Sequence, residues 1–374
     1  MKYENLITEL MFIDRACNFR CQYCTAPLKK TPMKNGVFTL EETGKDVIEL
    51  DALPEKTLGR RMREHKSRAL EIVPTPVLSL IGGELTLING IADYIQEAAK
   101  DYELVILTTN GSRLNNALIE ELSQCENLLL YFSLDGFNYE MNSYRVASEK
   151  QNWQLLNSLS MCMDMGVKVE CEMVLHDRNI EYIREYAEYL LVYAQKGCYV
   201  KLMPFPVRWT QGKYSPLRSD MSQLYQLFEE YETYQEVLPP KAYMANLIQV
   251  LRNGKRVCKC FAPYFVNGID NRGRIKSCPC VPVIHTSIQE ETQKAKDILK
   301  AARQEYKERR GVSGFCNTCY EGAWEMLNAY LYGDIKKEEL EKMRIGQSKG
   351  VIDVLEQIKE TVSDDYFFDQ KEYR

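Results

Sequence analysis

The sequence has 374 residues, of which 45% are apolar, so it is long enough for one large domain and a smaller one with a sizeable core. It contains no apolar run of about 18 residues, and no membrane span is therefore predicted. The formal net charge of −5 gives no broad electrostatic reason to bind nucleic acid.

The N-terminus and the cysteines indicate the compartment. The first five residues begin no apolar stretch with a small-residue cleavage site, as a secretory signal would, so we expect a cytoplasmic protein without a membrane partner. Thirteen cysteines in a reducing compartment are not expected to form a disulfide framework. Four that stand singly are interpreted as small buried apolar residues: Cys125, Cys162, Cys171 and Cys198.

Six short apolar runs alternate with helical patterns along the first 207 residues. Such alternation predicts an α/β fold of repeated βα units around a parallel sheet, here a partial (β/α)6 TIM-type barrel. The runs lie at residues 7–13, 77–81, 104–107, 128–132, 167–175 and 199–203. Helices are predicted from Thr39, where Glu42 completes a capping box, over 91–100 and 117–122, and from Glu149 to a stop at Gly166.

Three cysteines, Cys17, Cys21 and Cys24, follow the first apolar run with the spacing C-x3-C-x2-C. Three thiolates at this spacing can hold three corners of a cubane iron-sulfur cluster and leave the fourth iron open for an exchangeable ligand. The alternative is a zinc knuckle completed by a distant ligand. A loop at the carboxyl end of a parallel strand is where α/β folds place their sites, and this context favours the iron-sulfur cluster.

This motif resembles that of the radical S-adenosylmethionine (SAM) superfamily, and the resemblance covers roughly residues 5–207. It implies that the amino and carboxylate groups of SAM chelate the open iron of a [4Fe-4S] cluster. An electron, from a donor of the flavodoxin or ferredoxin type, then breaks the sulfonium bond to C5′, and the 5′-deoxyadenosyl radical takes a hydrogen atom from a substrate. Tyr23 fills the aromatic position that the family keeps near the adenine, and ordinary packing is the alternative.

Polar or glycine-rich segments follow the later strands, as a site at the carboxyl-terminal face of a barrel requires. Gly82-Gly83-Glu84 is similar to the family's Gly-Gly-Glu motif: the glycines allow close approach to the methionine, and the carboxylate suits its ammonium group. Asn110 follows the third strand, although Asn-Gly and Gly-Gly-Glu are also common turns.

The resemblance further assigns residues to the SAM site after the fourth and fifth strands. Ser133 and Asp135 lie in the segment that the family places near the ribose and carboxylate, and Arg145 suits a bidentate contact to the carboxylate. Val174 and Leu175 are expected to form an apolar wall for the adenine.

A second group of cysteines lies in the C-terminal third. Cys260 and Cys278 stand at the ends of a predicted β-hairpin, and Cys316 with Cys319 forms a chelating pair before a helix. Four thiolates complete a cubane, although a zinc ribbon would use identical ligands. The pattern resembles the twitch auxiliary-cluster domain, a shortened relative of SPASM, and implies a second [4Fe-4S] cluster.

Two cysteines are left over, Cys258 and Cys280. Each remains open as a replacement ligand, a substrate-side ligand or a hydrogen-atom donor. The predicted organisation is thus a radical SAM barrel over 1–207, a helical insert over 208–257, a twitch-like β-hairpin plus helix domain over 258–333 and a charged helical tail over 334–374.

The candidate catalytic residues lie near the two predicted cluster sites. Asp270 on the hairpin and Glu172 on the fifth strand are candidate bases for the proton that an oxidation releases, and ordinary turn or rim carboxylates are the alternative. Cys171 is a candidate hydrogen donor if it faces the barrel interior. Six basic residues concentrate in residues 56–68; a solvated helix or loop face is the main interpretation, and a docking site for an acidic peptide or phosphate is the alternative.

The main functional prediction is a radical SAM enzyme that oxidises or cross-links a peptide, with the auxiliary cluster accepting the product electron. The helical insert and the extra cysteines favour a peptide, whereas the absence of the N-terminal winged domain of many peptide-modifying relatives counts against it. The alternatives are a dehydrogenase or epimerase of a small polyol or aminocyclitol, and a non-enzymatic iron-sulfur or zinc protein.

Overall fold

The computed structural model describes residues 3, 5–12, 17–24, 39–41, 47–49, 55–207, 219–254, 256, 260–278, 284–308, 319–320 and 322–362. The strands in these ranges are β1 Ile7–Phe12, β2 Thr39–Glu41, β3 Val47–Glu49, β4 Val77–Gly82, β5 Leu104–Thr109, β6 Leu128–Ser133, β7 Val169–Leu175, β8 Val200–Pro206, β9 Val266–Asp270, β10 Arg274–Lys276 and β11 Thr286–Ser287. The helices are α1 Glu55–Ile72, α2 Ile91–Asp101, α3 Asn116–Ser123, α4 Glu149–Asp164, α5 Ile183–Ala194, α6 Ser222–Glu229, α7 Tyr231–Tyr234, α8 Lys241–Asn253, α9 Ala262–Phe265, α10 Thr292–Glu308, α11 Gly322–Tyr332, α12 Lys337–Leu340 and α13 Lys349–Val362.

The main sheet has nine strands in the order β11-β10-β9-β1-β4-β5-β6-β7-β8. All neighbours from β9 to β8 in this order are parallel. The six predicted strands are confirmed, with ends within three residues of the predicted ones. Their mostly continuous burial explains the continuous apolar runs, because helices cover one face and the barrel interior the other. The fold is consistent with a partial TIM-type barrel that does not close.

The helices between the strands begin and end at recognisable caps. The Asn115 side chain caps α3 by accepting from the Leu118 amide at 3.0 Å, and the Ser148 side chain caps α4. Gly166, with φ of +77°, follows the end of α4 as predicted. The helix predicted from Thr39 is wrong: this residue begins the strand β2, which pairs with β3.

The predicted C-terminal hairpin exists as β9 and β10, but it extends the main sheet. Strand β9 lies parallel to β1, with Ile7 opposite Val266 and Met11 opposite Asp270. The hairpin thus covers the edge of β1 that faces away from β4, and a separate C-terminal domain is not confirmed. The hairpin turn requires Gly273, whose φ is +75° and whose added Cβ would lie 2.5 Å from Ile288.

The C-terminal segment packs against the end of the barrel opposite the cysteine loop. Glu103, just before β5, accepts hydrogen bonds from Ser348 and from the Gly350 amide, both at 2.9 Å. Arg344 donates to the carbonyl of Glu126, which lies just before β6, at 2.7 Å. Residues 334–362 are therefore a packed part of the fold. In the described ranges, no helix combines the length and apolar character needed to cross a bilayer.

Candidate functional site

The cysteine loop follows β1 at the carboxyl-terminal edge of the sheet and is held at both ends. At its first half, Asn110 donates to Asn18 at 3.0 Å and lies 3.8 Å from the Cys17 sulfur. At its second half, the Gln22 amide donates to the carbonyl of Tyr144 at 2.8 Å. The loop is therefore tied to the ends of β5 and β6, where the sequence predicts the SAM site.

The three thiols lie close enough to influence one another. Burial raises the pKa of Cys21 to about 12, against the opposing charge of Arg145, and Cys17 and Cys24 raise it further. Burial also raises the pKa of Cys17. Three mutually interacting thiols on one loop fit the protein ligands of a cluster with an open iron. Within the described ranges, no three Cys, His, Asp or Glu side chains already stand at metal-binding distances.

Glu84 is a buried carboxylate that joins the ends of β4 and β5. It accepts from the Asn110 amide at 2.6 Å, from the Thr109 hydroxyl at 2.7 Å and from the hydroxyl and amide of Thr86 at 2.5 and 3.2 Å. Burial raises the pKa of Glu84, although these donors favour its ionised form. The carboxylate thus positions Asn110, and its role toward the ammonium group of SAM stays a prediction. Gly82 and Gly83 directly precede it with partly exposed backbone.

Asp135 is a fully buried carboxylate at the end of β6. It accepts a hydrogen bond from the Tyr23 hydroxyl, bonds from Arg145 at 3.3 and 3.4 Å, and one from the Val174 amide at 3.1 Å. Burial alone would raise the pKa of Asp135, but the Arg145 charge, His176 and the Tyr23 hydroxyl together outweigh burial and hold this pKa below its usual range. The structure therefore brings Tyr23, Asp135 and Arg145 together, with the guanidinium 5.6 Å from the tyrosine ring centroid.

His176 and Tyr144 belong to this buried cluster, and the sequence analysis missed both. The His176 Nε2 faces the Asp135 carboxylate at 3.8 Å, while its Nδ1 accepts from the Arg178 amide at 3.2 Å. The imidazole ring lies 4.8 Å from the ring of Tyr144 and 5.8 Å from that of Tyr23. A single histidine carries no spacing pattern, and its position directly after a predicted strand is the one signal that pointed to it.

The alternation along β7 corrects two predictions. Cys171 is fully buried against the helix layer, where it contacts Tyr186 on α5, so the condition for its candidacy as a hydrogen donor, a thiol that faces the barrel interior, is not met. Leu175, four residues further along the strand, lies on the same face as Cys171 and is likewise fully buried, so it does not form the predicted wall for the adenine. The half-buried residues of β7 are Glu172 and Val174, and Val174 packs beside Tyr23. Val174 is therefore the side chain that fits an apolar wall.

Glu172 and Ser133 are neighbours across β6 and β7, and both are half-buried at the carboxyl-terminal ends of these strands.

Asp270, the other candidate base, is already occupied by hydrogen bonds within the hairpin. Its carboxylate accepts from the amides of Arg272 and Arg274 at 3.0 Å and from the Arg274 guanidinium at 2.6 Å, and it is 1% exposed. Asp270 therefore organises the hairpin turn, which contradicts its candidacy as a free base.

The C-terminal cysteines are only partly described. Cys260 is close to Cys319, and burial raises the Cys260 pKa to about 11. A buried ion pair between Arg256 and Glu325 lies beside them, and Arg256 also donates to the Cys319 carbonyl at 2.9 Å. Cys278 follows β10 and is half-buried. The other predicted positions, Cys316, Cys258 and Cys280, lie outside the described residues, so the second cluster stays a prediction.

Comparison with known proteins identifies the kind of domain that carries this site. Residues 11–190 match the family model of the Radical SAM superfamily. Neomycin C epimerase of Streptomyces fradiae is 23% identical over 288 residues, which cover 75% of this chain and 79% of that protein. Fe-coproporphyrin III synthase of Methanosarcina barkeri is 23% identical over 197 residues, or 50% of this chain and 44% of that protein.

Two solved structures have a similar fold. SuiB of Streptococcus suis, bound to its precursor peptide SuiA, matches with a TM-score of 0.52 at 15% identity, over 80% of this chain and 67% of that chain. The structure of anSMEcpe with bound AdoMet also matches with a TM-score of 0.52 at 15% identity, over 95% of this chain and 99% of that chain. At this identity the likeness concerns the fold alone.

Proposed function

We propose that this chain, whose residues 11–190 form a radical SAM superfamily domain, is an enzyme that cleaves SAM reductively and oxidises or cross-links a peptide. The observation that carries the SAM chemistry is the convergence of three separate segments at one edge of the sheet. The cysteine loop follows β1, the Glu84 to Asn110 bond joins β4 and β5, and the Asp135 to Arg145 pair lies beyond β6.

The protein's own residues have distinct tasks in this proposal. Cys17, Cys21 and Cys24 would hold a [4Fe-4S] cluster, which together with SAM supplies a 5′-deoxyadenosyl radical. Arg145 donates to Asp135 through Nε and one terminal nitrogen, which leaves its other terminal nitrogen to contact the carboxylate of SAM. Gly82 and Gly83 leave room for the methionine, and Val174 offers the adenine an apolar surface.

A peptide is the substrate class that we favour. The likeness of fold to SuiB bound to a precursor peptide, and to anSMEcpe bound to the Cp18Cys peptide, supports this choice. Cys260, Cys278, Cys316 and Cys319 are the proposed ligands of an auxiliary cluster that accepts the product electron. The second candidate is an epimerase of a small aminocyclitol-containing molecule, because the similarity to neomycin C epimerase covers 75% of the chain and so more than the domain.

The decisive experiment is SAM cleavage by anaerobically reconstituted protein with dithionite, followed by mass-spectrometric detection of 5′-deoxyadenosine. We expect about eight irons per chain, four for each cluster. Replacing Cys17, Cys21 and Cys24 with Ala should remove about half of the iron and all of the cleavage. Cleavage in that variant would refute the site.

The substrate class is tested by supplying either neomycin C or short peptides encoded beside this gene. A peptide whose mass falls by two hydrogens supports the first candidate. An epimerised aminoglycoside that gains deuterium from heavy water supports the second, because a protein thiol that returns the hydrogen exchanges with solvent.

A further inference from the structure

We propose that a groove between α4 and α5 binds a proline-rich segment of the peptide substrate as a polyproline II helix. The groove has a volume of about 590 Å³, within the range of about 300 to 1,000 Å³ that is usual for ligand sites. Among the described residues that line it, Glu149 alone is charged. Five of the lining side chains are aromatic: Phe137, Tyr139, Trp153, Tyr189 and Tyr193.

Exposed apolar side chains are concentrated on this side of the molecule. In the described ranges five large apolar side chains are exposed, and four of them lie on or beside α4 and α5: Tyr139, Trp153, Met165 and Val192. Trp153 is the most exposed of them, at 71%. Exposed apolar side chains that stand singly are ordinary, whereas several around one groove indicate a binding surface.

The aromatic wall of the groove is preformed. Phe137 stacks on Tyr189 with ring centroids 5.8 Å apart, and Tyr189 meets Tyr193 edge to face at 5.6 Å. The fully buried Tyr186 contacts the rings of Phe137 and Tyr189 at 6.4 and 6.3 Å. These contacts fix the rings before a ligand arrives, which lowers the ordering cost of binding.

The amide side chains of the groove turn their donor groups toward it. Asn152 is 4% exposed, and its Oδ1 accepts from Asn142 at 2.9 Å, which leaves its Nδ2 for the groove. The orientation of Asn142 is fixed in turn, because its own Oδ1 accepts from the Asp135 amide at 2.9 Å. The Oδ1 of Asn138 likewise accepts from a backbone amide. No described residue accepts from the Nδ2 groups of Asn138 and Asn152 or from the indole N–H of Trp153.

A proline-rich chain complements these donors and the aromatic rings together. Proline has a carbonyl acceptor but no N–H, and polyproline II segments dock in grooves lined by aromatic side chains. The carbonyls of such a helix have no partner within it and accept hydrogen bonds from outside. A sugar would also pack on the rings, but its hydroxyls need acceptors as well, and the amide oxygens of Asn138 and Asn152 are already occupied.

The length and the charge of the groove define the segment further. From Glu149 to Ser160 the groove follows α4 for about 16 Å, at ~1.5 Å per residue. A polyproline II helix rises about 3.1 Å per residue, so about five residues fill this length. Glu149 lies at the start of α4 and forms no ion pair within the described ranges, so a basic residue complements this end of the groove. Lys196 lies beyond the other end, 5.4 Å from the ring centroid of Tyr193.

The groove begins beside the active site. Helices α4 and α5 each follow a strand of the parallel sheet, so both start at the carboxyl-terminal edge, where the cysteine loop lies. Asn142 connects the two places directly, because it contacts Asn152 in the groove and the Asp135 amide in the buried cluster. A segment bound in the groove therefore leaves the rest of its chain beside the mouth of the barrel. This inference rests on the proposed peptide function.

The test measures peptide binding apart from chemistry. The probe is a fluorescein-labelled peptide of five prolines between two arginines, and its counterpart carries alanine in place of each proline. Fluorescence anisotropy with the reconstituted protein should show binding of the proline peptide about tenfold tighter than that of the alanine peptide. Trp153→Ala should weaken binding of the proline peptide about tenfold. The matched control Ile284→Ala, which truncates an exposed apolar side chain outside the groove, should leave binding unchanged.

The contribution of charge is tested separately. Glu149→Gln should weaken binding of the arginine-flanked peptide and leave binding of a glutamine-flanked version unchanged, because only the former carries the complementary charge. An equal loss with both peptides would contradict the proposed contact at the start of α4.

Other results would overturn the proposal as a whole. Equal binding of the proline and alanine peptides, or full binding by Trp153→Ala, would exclude the groove as a polyproline II site. Displacement of the probe by maltohexaose would indicate a sugar site, and a dimer in sedimentation that Trp153→Ala dissociates would assign this surface to a second copy of the chain. SAM cleavage is measured in parallel: its absence in the wild type refutes the proposed function, whereas absence of probe binding with cleavage intact refutes only this inference.

Discussion

Replacing Asp135 with Asn tests whether the buried carboxylate holds the second half of the cysteine loop. The substitution keeps the shape of the side chain but removes the charge that Arg145 faces, and both side chains are at most 7% exposed. Breaking a buried ion pair by removing one partner costs about 3 to 5 kcal/mol, because the other charge stays buried without compensation. We therefore expect the free energy of unfolding to fall by about that amount.

Two companion variants separate the effect of the lost charge on the free energy of unfolding from the effect of local packing. Tyr23→Phe removes one hydrogen bond to the same carboxylate and should cost about 1.5 to 3 kcal/mol, less than the charge removal. Arg145→Gln combined with Asp135→Asn removes both charges, so the double variant should be more stable than the sum of the single losses predicts. Urea unfolding of the cluster-free protein measures the wild type, these variants and the single variant Arg145→Gln under the same conditions.

The pH dependence of this stability difference independently tests the role of the Asp135 charge. Since the pKa of Asp135 is lowered in the folded state, its contribution to stability is present above the unfolded value of about 3.9 and is lost as the pH falls toward the folded pKa. The difference between wild type and Asp135→Asn should therefore shrink on acidification below that value. A variant as stable as the wild type at neutral pH, or a difference that grows in acid, would refute the reasoning.

Three further predictions concern the site. Glu84→Gln weakens the hydrogen bonds that hold Asn110 and should reduce SAM affinity about ten- to hundred-fold, as measured by isothermal titration, while the iron content stays unchanged. An affinity equal to that of the wild type would show that Glu84 does not contribute to the SAM site. Cys171→Ala should keep full substrate turnover while lowering thermal stability, because the thiol packs on α5. Loss of turnover in a folded variant would support Cys171 as the hydrogen donor after all. Cys316→Ala with Cys319→Ala should preserve abortive SAM cleavage and stop substrate turnover, so turnover without the second cluster would rule out electron transfer through it.

The sequence predicted the barrel strands because strands buried on both faces read as continuous apolar runs. For the same reason the sequence left open whether Cys171 faces the barrel interior: alternation shows which residues share a face, but two apolar faces look alike in sequence. The pairing of β9 with β1 joins residues about 260 positions apart, and no local pattern encodes that contact. His176 was missed because its role depends on a carboxylate 41 positions earlier, which only the fold brings near.

The two halves of the cysteine loop depend on two different buried carboxylates. Glu84 acts through Asn110, which contacts Asn18 and the Cys17 sulfur. Asp135 acts through Tyr23, which lies between the last two cysteines. Since each carboxylate follows a different strand, the relative positions of the strand ends position the two halves of the loop with respect to each other. This explains why short motifs far apart in the sequence form one site: the sheet fixes the carboxylates, and the carboxylates fix the loop.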